Sequence, residues 1–83
     1  MKKEDAKKII KVEQLISYSF FENRADSSDE IVIKNKADRW IVYATNERAS
    51  KISGGERVFD NEEDALDNFI RRLRALNDYR NSM

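Results

Sequence analysis

The sequence predicts an α+β domain in the order α-β-β-β-(β)-α: a three- to four-stranded antiparallel sheet with an N-terminal and a C-terminal helix packed on one face. Three observations carry that expectation. Apolar residues recur every three or four positions at Ala6, Ile9, Val12 and Ile16, and again at Leu66, Phe69, Ile70, Leu73 and Leu76, which is the period of a helix face. Between these stretches lie Ile31-Val32-Ile33 and Trp40-Ile41-Val42-Tyr43, β-branched and aromatic runs of strand length. With 83 residues there is room for one core, so residues 1–83 are expected to form a single domain whose helices and strands share it.

The first helix is expected over Glu4 to Ile16, with Ile10 and Leu15 widening its stripe and an end near Ser17. Tyr18 to Glu22 breaks the helical period and interleaves aromatics with Ser19, as a strand with one buried side does. Asn23 to Asp29 is rich in turn formers and reads as a surface loop. Glu30 to Lys34 and Arg39 to Thr45 form the next two strands, joined through Asn35-Lys36-Ala37-Asp38 as an antiparallel hairpin. In the second of them Trp40, Val42 and Ala44 share one face and Ile41 and Tyr43 the other. Both faces are apolar, so this strand is expected in the sheet interior.

After it the chain turns polar from Asn46 to Glu56 and carries its only glycines, Gly54-Gly55. Arg57-Val58-Phe59 is a brief extended stretch, the optional fourth strand of the three- to four-stranded sheet. Asp60-Asn61-Glu62-Glu63 matches a helix start, a capping residue followed three later by Glu, and the acids there complement the positive helix end.

Composition narrows the function. Without Cys or His the chain has no disulfide, none of the common zinc sites, and no imidazole to activate a nucleophile. No catalytic, cofactor or metal site is expected, and a non-enzymatic binding protein is the reading that remains. Sixteen basic residues balance sixteen acidic ones, which removes the overall pull toward nucleic acid. The basic start from Met1 to Lys8 is followed by an apolar stretch that Glu13 interrupts, unlike a signal peptide, and no run approaches the roughly 18 apolar residues of a membrane span. Cytoplasmic residence with no membrane partner is the expectation.

Charged clusters have structural readings beside functional ones. Asp60, Glu62, Glu63, Asp64 and Asp67 suit a helix N-terminus, though an acidic patch for a basic partner stays open. Lys7, Lys8 and Lys11 with Arg71, Arg72 and Arg74 would make a phosphate surface if the helices were neighbours, but nothing points to base recognition, and nucleic acid is the lesser reading. The loop from Thr45 to Gly55 is not a phosphate loop, because no Gly-Lys-Ser/Thr follows its glycines. Its length and polarity favour a partner surface.

Taken together, Arg39-Trp40-Ile41-Val42-Tyr43-Ala44-Thr45-Asn46-Glu47-Arg48-Ala49-Ser50, Gly54-Gly55 and the run from Val58 to Ile70 resemble the immunity protein 59 family of bacterial polymorphic toxin systems. The resemblance implies an intracellular protein that binds its cognate toxin tightly and blocks the toxin's active site or substrate access. Such a protein needs no chemistry of its own. The contacts expected are Glu47, Arg48 and Lys51 in the loop, with Asp64 and Asp67 for a basic toxin. The alternative is a small homodimeric interaction or regulatory domain, with a second apolar surface around Ile41 and Tyr43.

Overall fold

In the computed structural model, which describes residues 1–82, the first helix is shorter than its apolar period suggests. Helix α1 covers Lys3–Glu13 and buries Ala6 and Ile10, one turn apart. It stops because Gln14 adopts a left-handed conformation, φ 54°. The N–H of Leu15 then bonds to Ile10 O at 3.0 Å and that of Gln14 to Lys11 O at 3.3 Å. This is the Schellman pattern, and Leu15 completes it by joining Ile10 in the core. Of the residues expected in the buried stripe, Ile16 now lies beyond the helix and is 57% exposed, while Val12, within the helix but turned away from the Ala6–Ile10 side, is 71% exposed.

Four strands follow, β1 (Tyr18–Phe20), β2 (Ile31–Lys36), β3 (Arg39–Ala44) and β4 (Arg57–Phe59), then helix α2 (Glu62–Asn81). They form one sheet in the order β1-β2-β3-β4, which places β3 inside it as expected. The sheet is mixed, not wholly antiparallel: β1 runs parallel to β2, pairing Tyr18 with Ile31 and Phe20 with Ile33. Phe21, at φ 54°, ends β1, and residues 21–30 carry the chain back to the end where β1 began. At ten residues this connection is somewhat shorter than the dozen or so that parallel neighbours usually need. The side chains that tie residues 22–30 down, described below, select the return.

β2 and β3 form the expected hairpin, from Ile31 opposite Ala44 to Lys36 opposite Arg39. Of its two turn residues only Ala37 has a positive φ, 58°, the signature of a type II′ turn. β4 pairs antiparallel with β3, Phe59 opposite Trp40 and Arg57 opposite Val42.

Both helices cover one face of this sheet. Ile31, Ile33 and Val42 meet Ala6, Ile10 and Leu15 from the first helix region and Leu66, Phe69, Ile70 and Leu73 from α2 in one cluster. Phe69 is fully buried, its ring 5.8 Å from that of Phe20. Each large side chain so buried contributes on the order of 2 kcal/mol of transfer free energy. α2 is capped by Asn61, one residue later than the acidic run suggested: Asn61 Oδ1 accepts the Asp64 N–H at 2.8 Å. Near its other end the buried Asn77 amide acts as a splice, accepting from Ile16 N–H at 3.0 Å and donating to Ile16 O at 3.1 Å. No helix among the described residues is long and apolar enough to cross a membrane.

Candidate protein-binding site

The sheet face away from the helices is where the polar loops gather. Pleat alternation places Ser19, Val32, Lys34, Lys36, Arg39, Ile41, Tyr43 and Val58 on this side, since partners across the ladder share a face. One half of the face is closed. Ser19, Val32 and Tyr43 are 1%, 0% and 4% exposed although no helix touches that side.

The connection over residues 21–30 closes it, and Arg24 is its hub. The Arg24 guanidinium donates to both oxygens of Glu30, at 3.2 and 3.0 Å, and through Nε to Glu22 at 2.9 Å. It also reaches Ala25 O at 3.0 Å and Ser27 Oγ at 3.1 Å. Glu30 is 4% exposed, and its carboxylate additionally accepts the Ser27 N–H at 3.0 Å. These carboxylates, Glu30 first and then Glu22, raise the Arg24 pKa, so the guanidinium charge is permanent. Nearby, Tyr43 Oη donates to Asp26 at 2.7 Å, and Thr45 Oγ1 donates to Ser27 O at 2.7 Å while accepting the Glu30 N–H at 3.0 Å. Burial, followed by the Asp26 hydrogen bond, pushes the Tyr43 phenol well above its usual range.

The same residues close an edge. Tyr18 and Phe20 turn their outward backbone groups to the free side of β1, where Arg24 Nη2 caps Tyr18 O at 3.3 Å and Glu22 caps the Phe20 N–H at 3.1 Å. A partner strand cannot add there without displacing them.

The second loop, between β3 and β4, is organised differently. Thr45 and Lys51 form an antiparallel bridge, and Asn46 Oδ1 accepts from the N–H groups of Arg48 at 2.8 Å and Ser50 at 3.1 Å. Asn46 thus supplies the turn from its own side chain. At the base, Arg72 of α2 donates to Gly55 O at 2.6 Å, and its pKa is lowered by burial first and then by Arg57 and Arg71. Glu47 and Arg48 sit exposed at the tip, and neither side chain bonds to another described residue. Lys51 stands lower, its ammonium 4.6 Å from the centre of the Tyr43 ring and paired with Glu56.

The five expected contact residues therefore do not converge. Glu47, Arg48 and Lys51 share the β3–β4 loop. Asp64 belongs to the α2 cap, its Oδ2 accepting from Asn61 Nδ2 at 2.9 Å, and Asp67 accepts from the Met1 amine at 2.9 Å. Asp67 faces the α1 side of α2 while Arg72, five positions on and so about 140° around the helix, faces the loop. One flat partner surface cannot cover both groups. On the helix layer Arg72 turns to the loop and Arg74 to Glu13, at 2.6 Å, so two of the six cations of the supposed phosphate surface are engaged elsewhere. Of the apolar surface expected around Ile41 and Tyr43, Tyr43 lies beneath the crossover, which leaves half-buried Ile41 beside its cross-strand partner Val58, 50% exposed.

Sequence reasoning missed Lys34, Lys36 and Arg39, which stand on the open half of the face toward the hairpin turn. The available signal was the pleat: Lys34 and Lys36 alternate with Val32 on the side that Ile41 and Tyr43 share.

The family described as Immunity protein 59 matches residues 2–81, nearly the whole chain, and the chain belongs to that family. No curated protein and no solved structure gives a significant match.

Proposed function

We propose that this member of the immunity protein 59 family neutralises a cognate protein toxin in the cytoplasm by binding it and covering its active site or the path of its substrate. Family membership supplies the immunity role. The observation that favours a binding mode is the β3–β4 loop, whose backbone is satisfied internally by Asn46 while Glu47 and Arg48 stay unengaged at its tip. A loop whose backbone is already ordered loses little further entropy on docking, and its free charged side chains are available for a partner. Glu47, Arg48 and Lys51 are the proposed contacts. Asp64 and Asp67, tied to the cap and the Met1 amine, would form a separate acidic patch.

The test is co-expression with the toxin encoded beside this gene, scored by growth rescue and by co-purification. Rescue with a complex of fixed stoichiometry is expected. Titration of purified toxin activity separates binding from catalysis: inhibition should saturate at one equivalent. Full neutralisation by a small fraction of an equivalent would show an enzyme, and absence of both rescue and complex would remove the toxin reading.

A further inference from the structure

We infer that the open half of the helix-free sheet face is a socket for acidic side chains of a partner protein, centred on Lys36. This deepens the toxin-binding reading and rests on it for the partner's identity. Lys34, Asn35, Lys36, Ile41, Tyr43 and Lys51 line a depression of about 240 Å3 on that face. Its apolar floor is the half-buried Ile41, the nearly buried Tyr43 bounds it on the closed side, and Lys34, Lys36 and Lys51 line it. The volume is below the roughly 300 Å3 at which pockets for whole small molecules begin, and it suits projecting side chains better than a cofactor.

The cations around this socket are unequally neutralised. Lys51 is paired with Glu56, and Lys34 lies 3.4 Å from Asp26. Arg39, beside the socket, has only Asp60 at 3.9 Å, with both side chains mostly exposed. Lys36 has no acidic partner among the described residues. Positive charge thus remains over an apolar floor, where a partner carboxylate would be partly shielded from water and attracted more strongly than on an open surface.

The same geometry disfavours nucleic acid. Base stacking needs an open aromatic face, but Tyr43 is 4% exposed and the Lys51 ammonium covers its ring. Asp26, Glu56 and Asp60 are spaced among the cations, where a continuous phosphate backbone would meet repulsion and an isolated carboxylate would not.

Two measurements on the full chain test the socket. In the first, amide chemical shifts are followed while poly-L-glutamate, and separately a single-stranded oligonucleotide, is added. Salt-sensitive shifts at Lys34, Lys36, Ile41 and Lys51 with the polypeptide are expected. Shifts confined to Lys7, Lys8 and Lys11 of α1, no shifts, or tighter binding of the oligonucleotide at this face would overturn the inference. In the second, capture of the adjacent-gene toxin is compared for Lys36→Glu, Lys34→Gln and the α1 control Lys7→Glu/Lys8→Glu. Lys36→Glu should weaken capture about 100-fold and Lys34→Gln about tenfold, with less than about threefold change for the control. Equal effects of face and control variants would also overturn it. If the unaltered protein captures no toxin, the functional reading fails, and the shift map still decides whether the socket exists.

Discussion

Two polar loops frame the helix-free face, and they solve the same problem in opposite ways. Residues 21–30 are held largely through their side chains: Arg24, Asp26 and Glu30 bond to Ser27, to one another or to Tyr43, while the Thr45 hydroxyl ties the backbone at Ser27 and Glu30. Residues 45–56 are held mainly through backbone, by the Asn46 turn and the Thr45–Lys51 bridge, and keep Glu47 and Arg48 outward. Similar composition serves structure in one loop and leaves side chains free in the other. What separates them is where the side-chain hydrogen bonds end.

The contrast breaks most sharply at Glu30. Glu30→Ala removes the acceptor that orders Arg24 and the Ser27 N–H, and should cost about 1–2 kcal/mol by denaturant unfolding, less than for a fully buried ion pair because Arg24 is 34% exposed and keeps Glu22. Arg24→Met leaves the Glu30 carboxylate buried without its counter-charge and should be the more damaging of the two. If both variants unfold like the parent protein, the crossover is an ordinary surface loop and the contrast is lost. Because this network holds β1 parallel to β2, weakened amide protection should appear first in Tyr18–Phe20.

Tyr43, where the crossover touches the sheet, gives a smaller and pH-dependent effect. Tyr43→Phe deletes the bond to Asp26 and should cost about 1 kcal/mol at neutral pH. The fold raises the phenol pKa, so this stability is complete below the unfolded value near 10 and declines as pH rises beyond it. The variant should therefore show a flatter alkaline limb. On the acid side the sign reverses. Arg24, then the Phe20 N–H, lowers the Glu22 pKa, so its contribution is present above the unfolded carboxylate value and lost as pH falls through the folded one. An alkaline limb identical in Tyr43→Phe and parent would place the phenol in solvent.

What could be read from sequence follows the same division. α2 was legible because Leu66, Phe69, Ile70 and Leu73 keep helical period over several turns, and β3 because both its faces are apolar. The parallel pairing was not, since Arg24 and Glu30 look like any solvated ion pair until their burial is known. Chain reversals were hidden as well. Gln14, Ser17, Phe21, Asp29, Ala37 and Ala49 all take positive φ, and none is the glycine that usually announces it. That is why α1 seemed to run through Ile16. Loop length exposed Glu47, Arg48 and Lys51 as candidates, whereas Lys34 and Lys36 resembled routine solubilising charges on a strand.

The loop tip offers the smallest expected change in stability and the most selective readout. Glu47→Ala with Arg48→Ala removes side chains that bond to nothing else described, and the Asn46 turn uses the N–H groups of Arg48 and Ser50, which the double variant keeps. Stability should stay within about 0.5 kcal/mol of the parent. Toxin capture should nevertheless weaken, chiefly through faster dissociation if the tip is inside the interface. Asn46→Ala is the matching opposite: it loosens the turn while leaving both charged side chains in place. If capture survives the double variant but not Asn46→Ala, the shape of the loop matters and its tip charges do not. If capture is lost in the double variant at unchanged stability, the free side chains are the contacts that the crossover, with its own turned inward, cannot supply.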